Sequence, residues 1–210
     1  MSVAAVVLCG GGSRRMGRAK AWLPFGDELM LQRVVRLAGT VAQPIVVVAA
    51  PDQEIPDIPG EVIIVRDPIA GRGPLQGLAA GFSALPDSVE LAFATATDVP
   101  FLEPRWITRL AELIEGDDLA IPFMDGYHHP LAAIYRTRVV LPAIDGLLRA
   151  DRLRPVFLVE AVKTRIVNEA ELRTVDPELR TLRNLNYPGD YEKALEDAGL
   201  MDPGATENRP

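Results

Sequence analysis

Short runs of apolar residues, rich in Val, Ile and Ala, recur at 3–8, 44–49, 61–65, 91–95 and 119–122 and read as strands. Between them, 29–38, 75–84 and 105–114 carry apolar residues at intervals of three and four, the mark of amphipathic helices. The strand runs are continuously apolar, without period-two alternation, which predicts burial on both faces, as in a parallel sheet covered by helices. This strand–helix rhythm predicts an α/β fold with a doubly wound, mostly parallel sheet. In such a sheet the ligand sits beyond the carboxyl ends of the strands, so the residues that follow strands carry the functional reading. The loops 9–20, 67–77 and 98–100 qualify.

A chain of 210 residues accommodates this pattern in one domain. We expect that domain over 1–200, with 201–210, which holds Pro, Gly and polar groups but no apolar face, as a frayed tail. The Pro-rich stretch 51–59 reads as an excursion between strands, not a domain linker. Composition excludes several function classes. With 22 basic residues against 29 acidic ones the net charge is −7, which opposes the broad attraction behind nonspecific nucleic-acid binding, so no nucleic-acid partner is expected. The single cysteine, Cys9, cannot close an internal disulfide, and together with two histidines it cannot build a Cys/His zinc cage. No apolar run approaches the roughly 20 residues of a membrane span, and the apolar start at 3–8 runs into glycines and arginines without a cleavage site. The expectation is a soluble, cytoplasmic chain with no membrane partner.

The loop after the first strand, Leu8-Cys9-Gly10-Gly11-Gly12-Ser13-Arg14-Arg15-Met16-Gly17-Arg18-Ala19-Lys20, combines a flexible backbone with cations. Consecutive glycines let backbone N–H groups approach phosphate oxygens, while Arg15 and Lys20 neutralise the charge on those oxygens. Two familiar phosphate loops fail on spacing. The dinucleotide fingerprint meets Arg15 where its last glycine belongs, and the P-loop meets Arg18 and Ala19 where Lys and Ser/Thr belong. The pattern that fits is Leu-x-Gly-Gly-x-x-x-Arg-Met-Gly-x-x-Lys, formed by Leu8, Gly10, Gly11, Arg15, Met16, Gly17 and Lys20. It resembles the signature loop of the nucleotidyltransferases related to the molybdenum cofactor guanylyltransferases. That resemblance implies a Rossmann-like sheet of the nucleotidyltransferase, glycosyltransferase-A-like, type, with Leu8, Gly10, Gly11, Gly12 and Lys20 on the nucleotide and Arg15 and Lys20 as catalytic cations.

The second loop, Asp67 to Gly77, ends in Gly73-Pro74-Leu75-Gln76-Gly77, where Pro74 and Leu75 open a helix whose N-terminus can face a nucleotide. It is similar to the family's Asp…Gly-Pro-Leu-x-Gly segment, so the resemblance makes Asp67 and Gly77 nucleotide contacts. In the third loop, Thr97-Asp98-Val99-Pro100-Phe101, Asp98 follows a strand and offers a carboxylate to a hard divalent cation beside a triphosphate, with phosphate oxygens and waters completing the shell. This looks like the family's Asp-x-Pro-Phe motif, whose aspartate binds the catalytic magnesium. Asp98 is therefore the expected Mg²⁺ ligand and a catalytic residue; the alternative is that it caps the next helix.

Further along, Asn184-Leu185-Asn186-Tyr187-Pro188-Gly189-Asp190 resembles the family's Asn-x-Asn-Thr-Pro-x-Asp segment, with Tyr187 in place of threonine. Asn186 becomes a candidate for the metal or phosphate surroundings, and Asp190 a cap for a helix over 191–198. His128-His129-Pro130-Leu131 resembles the segment before a strand on the family's acceptor side; adjacent histidines on extended chain face opposite ways, so at most one faces the site. Arg152 and Arg154 are candidates for an acceptor phosphate, or solvated surface residues.

The resemblance as a whole implies Mg²⁺-dependent transfer of GMP from GTP to molybdopterin, and contact with molybdoenzyme maturation proteins. The segment Ala49-Ala50-Pro51-Asp52 departs from the Ala-Asn-Arg-like sequence often found near the base, which leaves a related cytidylyltransferase or sugar-phosphate nucleotidyltransferase as the enzymatic alternative. A nucleotide-binding module without turnover is the alternative of another class; retention of both Lys20 and Asp98 argues against it.

Overall fold

The central strand, β1 (Val3–Leu8), is buried along its whole length because side chains on both of its faces are apolar. The computed structural model describes residues 2–10, 16–69 and 71–201. The candidates Gly11, Gly12 and Arg15, and the tail from 202 onward, lie outside the described residues.

β4 (Ile45–Ala49) and β6 (Leu91–Ala96) flank β1, both parallel to it. β5 (Val62–Arg66) closes one edge beside β4. On the other side follow β9 (Ala133–Arg136), β7 (Leu119–Met124) and β10 (Thr164–Val167), giving the order β10-β7-β9-β6-β1-β4-β5. Within this order of described strands β9 alone runs against its neighbours, pairing antiparallel with both β6 and β7, so the mostly parallel expectation holds. The short β8 (Tyr127–His128) folds back on the end of β7 through Asp125 and Gly126, whose φ values of 51° and 80° suit the Asp-Gly turn of a two-residue hairpin. β2 (Pro24–Phe25) and β3 (Glu28–Leu29) form a separate small hairpin.

Alternation along β1 assigns each face its helices. Val3, Ala5 and Val7 share a core with α1 (Met30–Gly39) and α3 (Pro104–Leu113), whose Trp106 is fully buried. Ala4, Val6 and Leu8 share the opposite core with α2 (Pro74–Ser83), α4 (Thr137–Arg149) and α5 (Leu158–Ala161). α2 approaches the sheet closely: a Cβ on Gly81 would sit 2.4 Å from Val6 Cγ1, so only glycine lets the helix lie that low. α6 (Glu169–Arg173) adds Leu172 to the first core, and α7 (Pro188–Asp197) joins Phe25, Met30 and Leu185 in a third, smaller cluster. No described helix is long and apolar enough to cross a membrane.

Several expectations shift. β5 is apolar throughout yet not buried on both faces: Ile64 is 50% exposed, because the strand lies at the sheet edge, where one neighbour is missing. The stretch 51–59 is an excursion, as expected, with no regular structure beyond a turn. The last helix begins at Pro188, not 191, and its N-cap is Tyr187. Asp190 sits in the first turn and closes the helix start from inside, its Oδ2 accepting from the backbone N–H groups of Asn186 and Tyr187 at 2.9 and 2.8 Å. α4, a segment without a sequence expectation, carries Pro142 inside it, a residue that normally argues against a helix interior.

Candidate active site

The carboxyl ends of β1, β4, β5 and β6 open into one cavity of about 870 Å³. Leu8 and Gly10 line it after β1, Ala50 and Gln53 after β4, Asp67 after β5, and Ala96 with Asp98 at the end of β6. The N-terminus of α2 supplies Gly73, Pro74 and Gly77, while Gly17, Arg18 and Leu131 complete the rim. The predicted positions Leu8, Gly10, Asp67, Gly77 and Asp98 thus come together at one place, although 90 residues of chain separate the first from the last.

The strand ends are tied tightly. Thr97 donates to Leu8 O through its backbone N–H (3.1 Å) and its hydroxyl (3.2 Å), which joins β6 to β1 where the cavity begins. Next comes Asp98, whose Oδ2 lies 2.7 Å from Lys20 Nζ; the two side chains are only 13% and 21% exposed. Lys20 reaches the site because the short helical turn Lys20–Trp22 is anchored by the buried Ala21. The segment 184–186 alternates: Leu185 turns into the apolar cluster with Phe25 and Met30, and its backbone N–H donates to Asp98 O at 2.9 Å. The asparagines on either side then face the ion pair, Asn184 Nδ2 donating to Asp98 Oδ1 and Asn186 Oδ1 accepting from Lys20, each at 3.4 Å. Arg33 braces the same loop, its Nε donating to Pro100 O at 2.6 Å.

Asp98 does not cap a helix. The next helix, α3, is capped by Glu103, whose side chain accepts from Arg105 N at 3.3 Å, so the carboxylate of Asp98 is committed to the cluster of Lys20 and Asn184.

On the β4 side, Gln53, one position beyond the segment 49–52, is a lining residue. Its Nε2 donates to Cys9 O (3.0 Å) and Cys9 Sγ (3.4 Å), and its Oε1 accepts from Ala50 N (3.1 Å). Arg66 ties down the same turn through Ala50 O and Gln53 O. The loop after β4 is thereby pinned to the root of the glycine loop; the only sequence signal for Gln53 was its place just beyond a strand. Burial pushes the Cys9 thiol above its ordinary range, against the opposing hydrogen bonds from Thr97 and Gln53, so it stays protonated and packs as a small apolar group. Asp67 lines the cavity and folds its own turn, Oδ1 accepting from Ile69 N at 3.0 Å.

Arg152 and Arg154 are not brought into the cavity lining. Arg152 lies over the Phe157 ring at 4.1 Å with Glu160 at 4.0 Å, and Arg154 is exposed at the start of a short turn. His129 follows β8, and burial holds its imidazole below the usual histidine range. No group of three or more His, Cys, Asp or Glu side chains gathers as a metal cage among the described residues. An ion at Asp98 would rest on one carboxylate, with the amide oxygen of Asn186 close by, and take phosphate oxygens and waters for the rest of its shell. That donor set fits Mg²⁺ bound together with a nucleotide.

Residues 5–164 match the family model described as MobA-like NTP transferase domain. A Mycobacterium tuberculosis protein named probable molybdenum cofactor guanylyltransferase is 37% identical over 188 residues, spanning 88% of this chain and 89% of its own. A Mycobacterium avium protein of the same name is 36% identical over 203 residues, spanning 94% and 97%. Among solved structures, molybdopterin-guanine dinucleotide biosynthesis protein A from Archaeoglobus fulgidus has a TM-score of 0.77 at 23% identity, covering 96% of this chain and 100% of that one. The 2-C-methyl-D-erythritol 4-phosphate cytidylyltransferase from Thermus thermophilus has a TM-score of 0.70 at 19% identity, covering 95% and 100%. At these identities the two structures speak for the fold alone.

Proposed function

The chain belongs to the MobA-like NTP transferase family and is a nucleotidyltransferase; from that premise we propose that it transfers GMP from GTP to molybdopterin, releasing pyrophosphate. The observation that carries the reading is the Lys20–Asp98 pair, set between Asn184 and Asn186 at the carboxyl ends of β1 and β6.

Nucleotidyl transfer of this kind requires no covalent enzyme intermediate. An oxygen of the acceptor's phosphate attacks the α-phosphorus, the α–β bridging bond breaks, and both electrons of that bond leave with pyrophosphate. The acceptor phosphate is already ionised near neutral pH, so positioning and charge stabilisation dominate over proton abstraction. Lys20, with Arg15 of the glycine loop, counters the charge that develops on the transferring group. The open N-terminus of α2 brings backbone N–H groups to the phosphates, and Gly10, without a side chain, lets them approach the end of β1. Asp98, with Asn186 beside it, would hold Mg²⁺, whose contribution is to neutralise phosphate charge. Asp67 and the turn 50–53 border the base and ribose on the β4–β5 side. Gln53 spends its side-chain amide on Cys9 and Ala50, so base discrimination at that wall falls to the backbone it fixes.

Calorimetric titration with GTP, CTP, UTP and ATP, each with and without Mg²⁺, tests the reading, followed by a pyrophosphate-release assay with molybdopterin. Selective, Mg²⁺-dependent GTP binding and turnover with molybdopterin are expected. Preference for CTP would move the chain to a cytidylyl specificity, and nucleotide binding without turnover on any acceptor would reduce it to a binding module.

A further inference from the structure

Beside the cavity, the same face of the sheet carries a pair of rings in tilted contact. Leu8 of β1, Val48 of β4 and Ala96 of β6 line the cavity from the face of the sheet that packs on α2 and α4. On β7, Leu119 and Ile121 belong to that same face, so Phe123, two residues further on, projects from it as well. Register fixes its height. Ala94 of β6 pairs with Ala133 of β9, and Ile134 pairs with Ala120 of β7, which sets Ile121 level with Ala94 and Phe123 level with Ala96. Phe123 therefore stands two strand spacings, about 10 Å, from β6, the strand that leads into Asp98. Leu131, just before β9, lies between them on the cavity rim.

Phe123 is 40% exposed, and its cross-strand partner is His128, the two ring centroids 4.8 Å apart at a 53° tilt. The tight Asp125–Gly126 turn sets the register of the two strands, which places both rings on one face of the hairpin. His128 Nδ1 is covered and makes no hydrogen bond to any described residue, so what the pair presents outward is ring surface. An exposed aromatic surface beside the cavity suits the ring system of a heterocycle better than an aliphatic or a charged group.

We propose that the Phe123–His128 face of the β7–β8 hairpin is the platform on which the fused-ring part of the acceptor stacks, while the acceptor's phosphate reaches back to Asp98. This deepens the transfer reading above and rests on it. Tyr127 supplies an internal control. It pairs with Met124, a member of the α1–α3 core, and so projects from the opposite face of the hairpin.

The test is steady-state transfer with molybdopterin and GTP, alongside molybdopterin binding read by pterin fluorescence. Phe123→Ala is expected to raise the acceptor KM roughly 5- to 100-fold, the range for loss of one aromatic stacking partner. Its GTP affinity stays that of the unmodified protein, and Phe123→Trp restores the acceptor KM. Tyr127→Ala leaves the acceptor KM unchanged. An acceptor KM in Phe123→Ala equal to that of the unmodified protein, or an equal rise in Tyr127→Ala, overturns the platform while leaving the transfer reading intact. Failure of the unmodified protein to bind or use molybdopterin overturns the transfer reading and the platform with it.

Discussion

Lys20 Nζ and Asp98 Oδ2 meet at 2.7 Å across 78 residues of sequence, and each is also within hydrogen-bond reach of an asparagine from the segment 184–186. The pair joins the glycine loop to the end of β6 in one small electrostatic unit. Asp98→Asn keeps the shape and some hydrogen bonding but removes the charge, so turnover is expected to fall about 10²–10³-fold, with stability lowered by only about 1 kcal/mol. Lys20→Met is expected to do the same. Because the two act together, the double variant should lose much less than the product of the single losses. Initial rates and thermal melts on the three variants check this; equal loss of activity and stability would refute it.

Gln53 does its work through other groups. Its amide joins Ala50 N to Cys9 O, so Gln53→Ala leaves the turn after β4 without its inner tie. We expect nucleotide Kd to rise roughly 5- to 150-fold, from loss of about 1–3 kcal/mol of organisation at the base wall, while kcat at saturating nucleotide changes little. Calorimetry and a KM-against-kcat comparison separate this from damage at Asp98.

Two glycines in helices should respond in opposite directions. Gly81→Ala drives a methyl to 2.4 Å from Val6 Cγ1 and 3.0 Å from Val48 Cγ2, and is expected to cost about 1–3 kcal/mol, a melting drop of several degrees. Gly146→Ala in α4 meets nothing within 4 Å and is expected to gain up to about 1 kcal/mol of helix stability. Denaturant midpoints on the two variants decide the matter.

Acid stability should carry the mark of Glu28. Its hydrogen bond to Arg36, helped by Arg33, holds the carboxyl below the usual glutamate range. A depressed folded-state pKa means that the unfolded chain binds the extra proton more readily. The contribution is therefore complete above the unfolded value and fades as pH falls through the folded one. Glu28→Gln should be less stable than the parent near pH 7, with the gap closing toward acid. Urea denaturation at several pH values checks it, and a gap that widens below pH 4 would contradict it.

Much of this was legible in the chain. Continuous apolar runs marked β1, β4, β6 and β7 because central strands need apolar side chains on both faces, and the same runs implied ligand loops at their ends. The same rule misjudged β5, since a run of isoleucine and valine looks alike whether or not a neighbouring strand covers it. Asp98 was visible as a carboxylate at a strand end, yet whether it capped α3 depended on where Glu103 fell.

By itself, then, the sequence determined the doubly wound sheet, the glycine loop, and the residue types offered at the strand ends, because period, composition and spacing are local properties. Tertiary structure alone decided which of those residues meet. Lys20 is paired with Asp98 because Ala21 anchors one turn and Leu185 the facing segment. Gln53 closes on Cys9 because β4 lies beside β1. Phe123 reaches the level of Ala96 because an antiparallel β9 sets the register between them. Contacts of this kind depend on strand order, direction and register across long loops, which no local pattern encodes.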